Sequence, residues 1–319
     1  MQIDGKCFKN KFYNNMKNYL KSALWLVCLF LFVNVKAVPK AKRVVMIALD
    51  GISVEGFEQA HMPHLDSLLA EGVLSLETRN IMPSVTLPNW TSHLTGSGPE
   101  QHGVVNNGWE KSKKPNLPPV CKDEDGYYPS VFKVLKDENP EVKTAFYYNW
   151  KNLIYPYNKK CFDEISFLED DMYVENYDKA FDFLLKNREE PTVIFLYSVH
   201  TDHIGHKYAW MSPEYICSLE EVDKEIGRFI TKIKKAELFE GTHFMFLTDH
   251  GGIKHGHGGV SVQEMIVPWG IVGPGIARGK KIFEPNNTVN TASVILKLFR
   301  VKQPSCWIGK VPEFIFNNK

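Results

Sequence analysis

The sequence lacks the excess of basic residues that a general nucleic-acid-binding protein carries. Lys and Arg together number 38 and Asp and Glu number 37, so the formal net charge is +1 at pH 7. No fixed-period repeat and no low-complexity segment stands out. What remains is ordinary globular composition, 44% hydrophobic and 24% charged, enough for one large core with or without a small accessory lobe. We therefore expect no nucleic-acid partner.

The N-terminal apolar run is too short to be a typical membrane span. It covers residues 23–35, whereas a spanning helix needs about 20 apolar residues. Several lysines precede the run, and Val35-Lys36-Ala37 offers small residues at the −3 and −1 positions of a cleavage site. This pattern predicts a secretory signal peptide over residues 1–37, with an uncleaved anchor as the alternative. We expect a secreted or periplasmic protein whose mature domain, residues 38–319, has no stable membrane span.

Cysteine is scarce, with six residues in the chain, of which Cys7 and Cys28 fall in the predicted leader. None of the others has the CxxC spacing of a zinc knuckle, so a cysteine metal site is not expected. An even number of cysteines remains in a predicted exported protein, which makes disulfides plausible. The sequence does not choose among the three possible pairings of Cys121, Cys161, Cys217 and Cys306.

Strand and helix patterns alternate along the mature chain. Apolar runs predict core strands, and helical spacing between them predicts helices that include residues 174–188 and 213–235. The predicted strands are residues 44–49, 73–79, 143–148, 191–199, 243–247 and 265–272. This alternation predicts an α/β fold with a mostly parallel central sheet and helices on both faces. Residues 108–170 are the expected insertion or cap over the active site.

Candidate metal-binding side chains are most closely spaced in Thr248-Asp249-His250-Gly251-Gly252 and the following His255-Gly256-His257-Gly258-Gly259. The first stretch comes directly after a predicted strand, so Asp249 and His250 should lie at the carboxyl edge of the sheet, where α/β proteins keep their active sites. Carboxylate and imidazole donors in this arrangement suit a divalent metal of the zinc type.

Other predicted strands and helix starts end in residues of the same kind. Asp50 ends the first strand, and Asp202 and His206 follow the strand at residues 191–199. Thr86 precedes Pro88 at a predicted helix start, where its hydroxyl would face free N–H groups. Each feature alone has a bland explanation: a helix cap for Asp50, a surface i,i+4 pair for Asp202 and His206, a core histidine for His250. Because all of these residues should lie at the same edge of the sheet, a shared metal site is the favoured interpretation.

Three carboxylates and three imidazoles divide into two cation sites about 4 Å apart. This arrangement stabilises both the attacking and the leaving oxygen in phosphoryl transfer. One site would hold Asp202, His206 and His257. The other would hold Asp50, Asp249 and His250, with Thr86 at its open position. A threonine hydroxyl bound to a zinc ion at a helix N-terminus should have a lowered pKa and could attack phosphorus.

These motifs resemble the type I phosphodiesterase/nucleotide pyrophosphatase family of the alkaline phosphatase superfamily. The matching pieces span residues 44 to about 275 in the family's order: Leu49-Asp50-Gly51, Pro83-x-x-Thr86-x-Pro88-Asn89, His102-Gly-Val-Val-Asn-Asn107, Asp202-x-x-Gly-His206, Thr248-Asp249-His250-Gly251 and His257-Gly258. The resemblance implies an alkaline phosphatase-like fold and a two-zinc enzyme.

The resemblance also implies residue roles. Thr86 would be the nucleophile that becomes a phosphothreonine, and Asn107 would hydrogen-bond a non-bridging phosphate oxygen. The metal ligands would be those named above, with Zn²⁺ as the expected metal. The substrate would be a small phosphate ester or nucleotide. A turn residue before Gly108 is the alternative reading of Asn107.

The chain departs from the longer family members at the last histidine. His257 follows His250 after only seven residues, where nucleotide-cleaving members have a long insertion. This short spacing is similar to the branch of ethanolamine-phosphate transferases, and it makes His255 a competing ligand. We prefer His257 because glycines flank it on both sides.

Three other functions use the same residues. A phosphomonoesterase or a phosphoethanolamine-type transferase could act on the same core, and an inactive metal-stabilised binding protein could keep the ligands without turnover. A sulfatase is disfavoured because Thr86-Leu-Pro-Asn-Trp lacks its oxidisable residue and its arginine. Aromatic residues are candidate walls of the leaving-group pocket, or else core: Trp90, Trp109, Tyr147, Tyr148, Trp150 and Tyr155. The oligomeric state is not predicted.

Overall fold

The computed structural model describes residues 40–113, 117–169 and 171–317. They lie in one compact unit that spans Val38–Asn317. The predicted leader, residues 1–37, lies outside the described residues. Among the residues that are described, no helix is long and apolar enough to cross a bilayer.

The elements follow one another in α/β order. The strands are β1 (Arg43–Leu49), β2 (Val73–Arg79), β3 (Lys143–Tyr148), β4 (Glu164–Phe167), β5 (Thr192–Ser198), β6 (Thr242–Leu247), β7 (Ile266–Val272), β8 (Lys280–Ile282) and β9 (Asn286–Asn287). The helices are α1 (Val54–Gln59), α2 (Pro63–Ala70), α3 (Thr86–Thr95), α4 (Pro99–His102), α5 (Val131–Glu138), α6 (Tyr173–Lys186), α7 (His200–Tyr208), α8 (Pro213–Lys235), α9 (Val262–Met265) and α10 (Asn290–Phe299). Short 3₁₀ turns cover Lys151–Ile154, Lys159–Cys161 and Glu313–Ile315.

One sheet of nine strands forms the centre, in the order β4-β3-β5-β1-β6-β7-β2-β8, with β9 paired to β2. Strands β4, β3, β5, β1 and β6 run parallel. Strand β7 pairs antiparallel with both β6 and β2. The mostly parallel α/β sheet predicted from the sequence is confirmed, and the reversed direction of β7 was not predicted.

Alternation along β1 builds a core on each face of the sheet. Val44, Met46 and Ala48 join the cluster under α3, α5 and α10. The intervening side chains, Val45, Ile47 and Leu49, join the cluster under α1, α2, α6 and α8. Successive strand side chains point to opposite faces, so a strand covered on both sides is apolar throughout, as β1 is.

The range in which an insertion or cap is expected, residues 108–170, contributes two strands and a helix to the central fold. Strands β3 and β4 of this range pair in the central sheet, and α5 packs its buried Val131, Phe132 and Leu135 in the core. These segments therefore belong to the layered fold. Within this range, the described residues that lie outside regular elements are mainly those before α5.

The four cysteines beyond the predicted leader form one disulfide and leave two free thiols, which is none of the three full pairings. Cys121 and Cys306 form a disulfide that joins positions 185 residues apart. Cys161 is buried and Cys217 is exposed, and both are free thiols. The bridge ties the loop before α5 to the segment after α10.

Loss of this disulfide should destabilise the fold. Replacing Cys121 and Cys306 together by Ser should lower the free energy of unfolding by about 2–4 kcal/mol, because the bridge restricts the unfolded chain over a long loop. Urea unfolding measures the change. The matched control, Cys217→Ser, removes an exposed free thiol and should leave the midpoint unchanged; equal midpoints in both variants would contradict the assigned pairing.

Candidate active site

The predicted ligands converge because three parallel strands end in register. Leu49 of β1 pairs with Ser198 of β5, and Ala48 pairs with Leu247 of β6. Asp50 therefore emerges beside the start of α7, which carries Asp202 and His206, and beside the turn that carries Asp249 and His250. The carboxyl edge of the sheet thus collects side chains that are up to 200 positions apart in the sequence.

The first cluster consists of Asp50, Asp249 and His250, all fully buried. The Nε2 atom of His250 lies 3.3 Å from Oδ1 of Asp50 and 3.3 Å from Oδ2 of Asp249. Three ligand atoms at such spacing surround a point that one cation could fill. We call this set the Asp50 cluster.

The second cluster consists of Asp202, His206 and His257, and we call it the Asp202 cluster. Oδ1 of Asp202 lies 3.5 Å from Nε2 of His206 and 3.7 Å from Nε2 of His257. The rings of His250 and His257 stack with their centroids 3.6 Å apart, so the two clusters adjoin. The His206 side chain is 43% exposed, which opens this cluster to solvent.

A backbone carbonyl orients each clustered histidine. Nδ1 of His250 lies 2.8 Å from the carbonyl oxygen of Gly251, and Nδ1 of His257 lies 2.8 Å from that of Ser84. Nδ1 of His206 lies 2.9 Å from the carbonyl oxygen of His255. Since a carbonyl only accepts, each ring must carry its proton on Nδ1, which leaves the Nε2 lone pair to face the carboxylates.

The carboxylates leave buried oxygen atoms without partners. Among the described residues, Oδ1 of Asp50, Oδ2 of Asp249 and Oδ1 of Asp202 are buried and accept no hydrogen bond. These same atoms face the histidine nitrogens. Because an unpaired buried carboxylate is costly, the arrangement calls for cations. Oxygen and imidazole nitrogen donors fit a zinc-type metal, so the residues present suit the predicted pair of divalent ions.

The electrostatics of the metal-free clusters agree with this requirement. Burial, and then the neighbouring carboxylates, raise the pKa values of Asp50 and Asp249 well above their usual range. Burial raises the pKa of Asp202 to about 7. Burial also holds the pKa of His250 well below its usual range, which keeps its imidazole neutral and able to ligate. Cations at the two clusters would restore the charged carboxylates.

Thr86 lies at the first position of α3, after Val85 in extended conformation. Its Oγ1 atom lies 3.3 Å from Nε2 of His250, and the residue is 5% exposed. A helix of ten residues begins here, so the positive end of its dipole lies at Thr86 and favours an anion. The predicted nucleophile thus adjoins the Asp50 cluster.

Asn107 lies beside the same helix start. Its Oδ1 atom accepts the N–H of Leu87 at 2.7 Å, and its carbonyl oxygen accepts Nδ2 of Asn152 at 3.0 Å. The protein engages the amide oxygen, so Nδ2 is the group that Asn107 can offer to a ligand.

Sequence reasoning missed the residues that hold Asp50. Trp90 Nε1 donates to Oδ2 of Asp50 at 3.3 Å, and the Tyr197 hydroxyl donates to the same oxygen. Trp90 is fully buried, as are Tyr147 and, nearly so, Tyr148, so these three members of the expected aromatic pocket belong to the core. The spacing of Leu87, Trp90 and Leu94 along α3 is the signal that could have placed Trp90 there.

The fold is similar to that of two solved structures. The human ectonucleotide pyrophosphatase/phosphodiesterase 5 structure matches with a TM-score of 0.71 at 14% identity, over 86% of this chain and 99% of that chain. A murine structure of the same protein, an inactive threonine-to-alanine variant in complex with AMP, gives a TM-score of 0.69 at 14% identity, over 87% of this chain and 98% of that chain. The chain has the fold of these two structures.

The family follows from the sequence itself. The model of the type I phosphodiesterase / nucleotide pyrophosphatase family matches residues 44–268, more than half of the chain, and the chain belongs to this family. Human bis(5'-adenosyl)-triphosphatase ENPP4 is 25% identical over 222 residues, covering 66% of this chain and 47% of that protein. An uncharacterised pyrophosphatase/phosphodiesterase of Schizosaccharomyces pombe is 27% identical over 214 residues, covering 65% and 44%. The chain spans about half the length of these curated relatives.

The raised pKa of Asp202 predicts the pH dependence of the metal-free protein. In the unfolded chain this carboxyl ionises near 3.8, and in the folded chain its pKa is about 7. Between those values the folded state binds the extra proton, so stability falls as the pH rises. The melting temperature of chelator-treated protein, measured relative to Asp202→Asn, should therefore drop from pH 4 to pH 7.

The Asp202→Asn variant is the control, since every other titrating group is shared. A melting-temperature difference that stays constant across this range would show that Asp202 is not held protonated in the folded chain.

Proposed function

We propose that the chain is a two-zinc hydrolase of phosphodiester or phosphoanhydride bonds that acts through a phosphothreonine at Thr86. The observation that carries this proposal is the hydroxyl of Thr86, 3.3 Å from His250 Nε2 at the start of a ten-residue helix. A hydroxyl between a cation-binding cluster and the positive end of a helix dipole can attack an anionic phosphorus centre.

The Asp50 cluster would hold one zinc ion and the Asp202 cluster the other. Bound zinc supplies Lewis acidity, which lowers the pKa of a coordinated hydroxyl or water and stabilises charge on phosphate oxygens. The ligands offer one imidazole and two carboxylates at the first site, and two imidazoles and one carboxylate at the second. The wider opening at His206 gives solvent water access to the second cluster.

Thr86 and Asn107 would have different roles in a two-step displacement at phosphorus. The Thr86 hydroxyl gives its proton to water, and Oγ1 forms a bond to phosphorus as the bond to the leaving oxygen breaks; the leaving oxygen takes a proton from water. A water then attacks the phosphothreonine, which restores Thr86 and releases the phosphate product. Nδ2 of Asn107 would donate to a non-bridging phosphate oxygen, since the Leu87 N–H fixes the other end of the amide.

Nucleotides are the substrate class that the relatives favour. The similar human protein is named a bis(5'-adenosyl)-triphosphatase, and the similar murine structure holds AMP in a threonine-to-alanine variant. Both names support a phosphodiester or phosphoanhydride next to a nucleoside. Trp109, Trp150 and Tyr155 are partly buried at the edge of the core, so their rings keep the role of candidate pocket walls.

Export fits this proposal. The Cys121–Cys306 disulfide supports an oxidising compartment, as does the leader predicted over residues 1–37. We therefore propose a secreted or periplasmic enzyme.

The experiment that tests the function pairs Thr86→Ala with Thr95→Ala. Both remove the hydroxyl of a buried threonine in α3, but Thr95 lies two and a half turns further along and donates only to the Thr91 carbonyl. Turnover is measured with a nitrophenyl nucleotide diester and with nitrophenyl phosphate. Thr86→Ala should lose about 10³-fold or more in kcat and keep two zinc ions per chain, whereas Thr95→Ala should remain active.

The two substrates separate the alternatives. Preference for the diester supports the proposed class. Cleavage of the monoester alone would make the chain a phosphomonoesterase, and zinc without cleavage of either substrate would favour the transferase or the binding protein. Undiminished turnover by Thr86→Ala would exclude a phosphothreonine intermediate.

A further inference from the structure

His206 differs from the other histidines at the two clusters in its exposure. Its side chain is 43% exposed, against 0% for His250 and 8% for His257. A buried ligand is held by packing, but an exposed imidazole loses rotamer freedom when it is fixed in one orientation. Something other than burial must therefore keep Nε2 of His206 beside Asp202.

The turn that follows the Asp50 cluster supplies that contact. Ile253 and Gly256 close the turn with two backbone hydrogen bonds of 2.9 and 3.1 Å. The Lys254 carbonyl accepts the N–H of Trp210 at 2.7 Å, which fastens the turn to the residues just after α7. Trp210 is itself buried and donates Nε1 to the carbonyl of Gly51, so the turn rests on a fixed support.

His255 and His206 hold each other in a reciprocal pair. Nδ1 of His206 donates to the His255 carbonyl at 2.9 Å, and Nδ1 of His255 donates to the His206 carbonyl at 3.1 Å. The pair fixes the ring of His206 from one side and the end of α7 from the other. The ring of Trp210 lies edge-on to His206, with centroids 5.2 Å apart, and completes the support.

We propose that His255 is a positioning residue of the Asp202 cluster, which holds His206 through this reciprocal pair and does not itself ligate. The inference rests on the proposed function, because it concerns a zinc site. It also resolves a choice that the sequence left open, since His255 and His257 were both candidates for the last ligand. His257 faces Asp202 from within the cluster, whereas His255 is exposed and uses its Nδ1 on the backbone.

Asparagine distinguishes the two roles of His255. The side-chain N–H of Asn can take the position of the imidazole Nδ1–H, but Asn has no counterpart of Nε2. His255→Asn should therefore keep a positioning contact and lose a ligand, and His255→Ala should lose both. Lys254→Ala is the matched control, because it changes the exposed neighbour in the same turn and leaves the Lys254 carbonyl in place.

The measurement is zinc affinity by competition with a chelator, on the full chain, with melting temperatures of the metal-free variants alongside. His255→Ala keeps the carbonyl that accepts His206 Nδ1 but loses the bond from the His255 side chain to the His206 carbonyl, so one of the two zinc ions should bind about 10-fold more weakly, the low end of the effect of losing a contact that orients a ligand. His255→Asn should recover most of that loss, and Lys254→Ala should match the wild type. The metal-free melting temperatures should agree, because His255 is exposed.

Two results would overturn the proposal. Loss of one zinc ion at saturating metal in both His255 variants would make His255 a ligand, and unchanged affinity in His255→Ala would leave it without a role. The wild-type zinc content separates this inference from the proposed function: fewer than two ions in the wild type contradicts both, whereas two ions with unchanged affinity in His255→Ala contradicts only the positioning role.

Discussion

Three buried carboxylates lie at one edge of the sheet, and the residues around them hold these carboxylates in position. Asp50, Asp202 and Asp249 each leave one buried oxygen without a hydrogen-bond partner. Burial raises the pKa values of all three and favours the protonated form, and for Asp50 and Asp249 repulsion by the neighbouring carboxylates adds to it. Only cations make three ionised carboxylates stable there, so the fold and the metal requirement are linked.

The contacts around the carboxylates explain how the clusters keep their shape. Trp90 and Tyr197 hold the second oxygen of Asp50, and the Gly51 N–H holds the second oxygen of Asp249. Each carboxylate therefore turns its free oxygen towards a histidine. Carbonyls of Gly251, Ser84 and His255 fix the three imidazoles in the same way. Ser84 also precedes Thr86 by two residues, so the start of α3 and the His257 loop are joined directly.

The sequence predicted which side chains meet at this edge because several of them directly follow strands. Residues such as Asp50 and Asp249 come directly after continuous apolar runs, and the ends of parallel strands meet at one edge. Helix α8 was also predictable, since Pro213 begins a long run with alternating charge that ends at Lys235. In both cases a local sequence pattern corresponds to one kind of secondary structure.

Other features depend on contacts that no local pattern encodes. The apolar pattern of β7 is that of any buried strand and does not indicate its reversed direction. The Cys121–Cys306 pairing depends on the contact between the loop before α5 and the chain after α10. The spacing of Leu87, Trp90 and Leu94 indicates a core position for Trp90, but it does not indicate that the indole N–H donates to Asp50. The choice between His255 and His257 likewise depends on where the turn at residues 253–256 rests.

The central claim is that the two clusters are two cation sites that act together, and anomalous diffraction at the zinc edge tests it most directly. Crystals of the full chain with zinc should show two anomalous peaks about 4 Å apart, one among Asp50, Asp249 and His250 and one among Asp202, His206 and His257. A single peak, or peaks elsewhere on the surface with both clusters empty, would contradict the account.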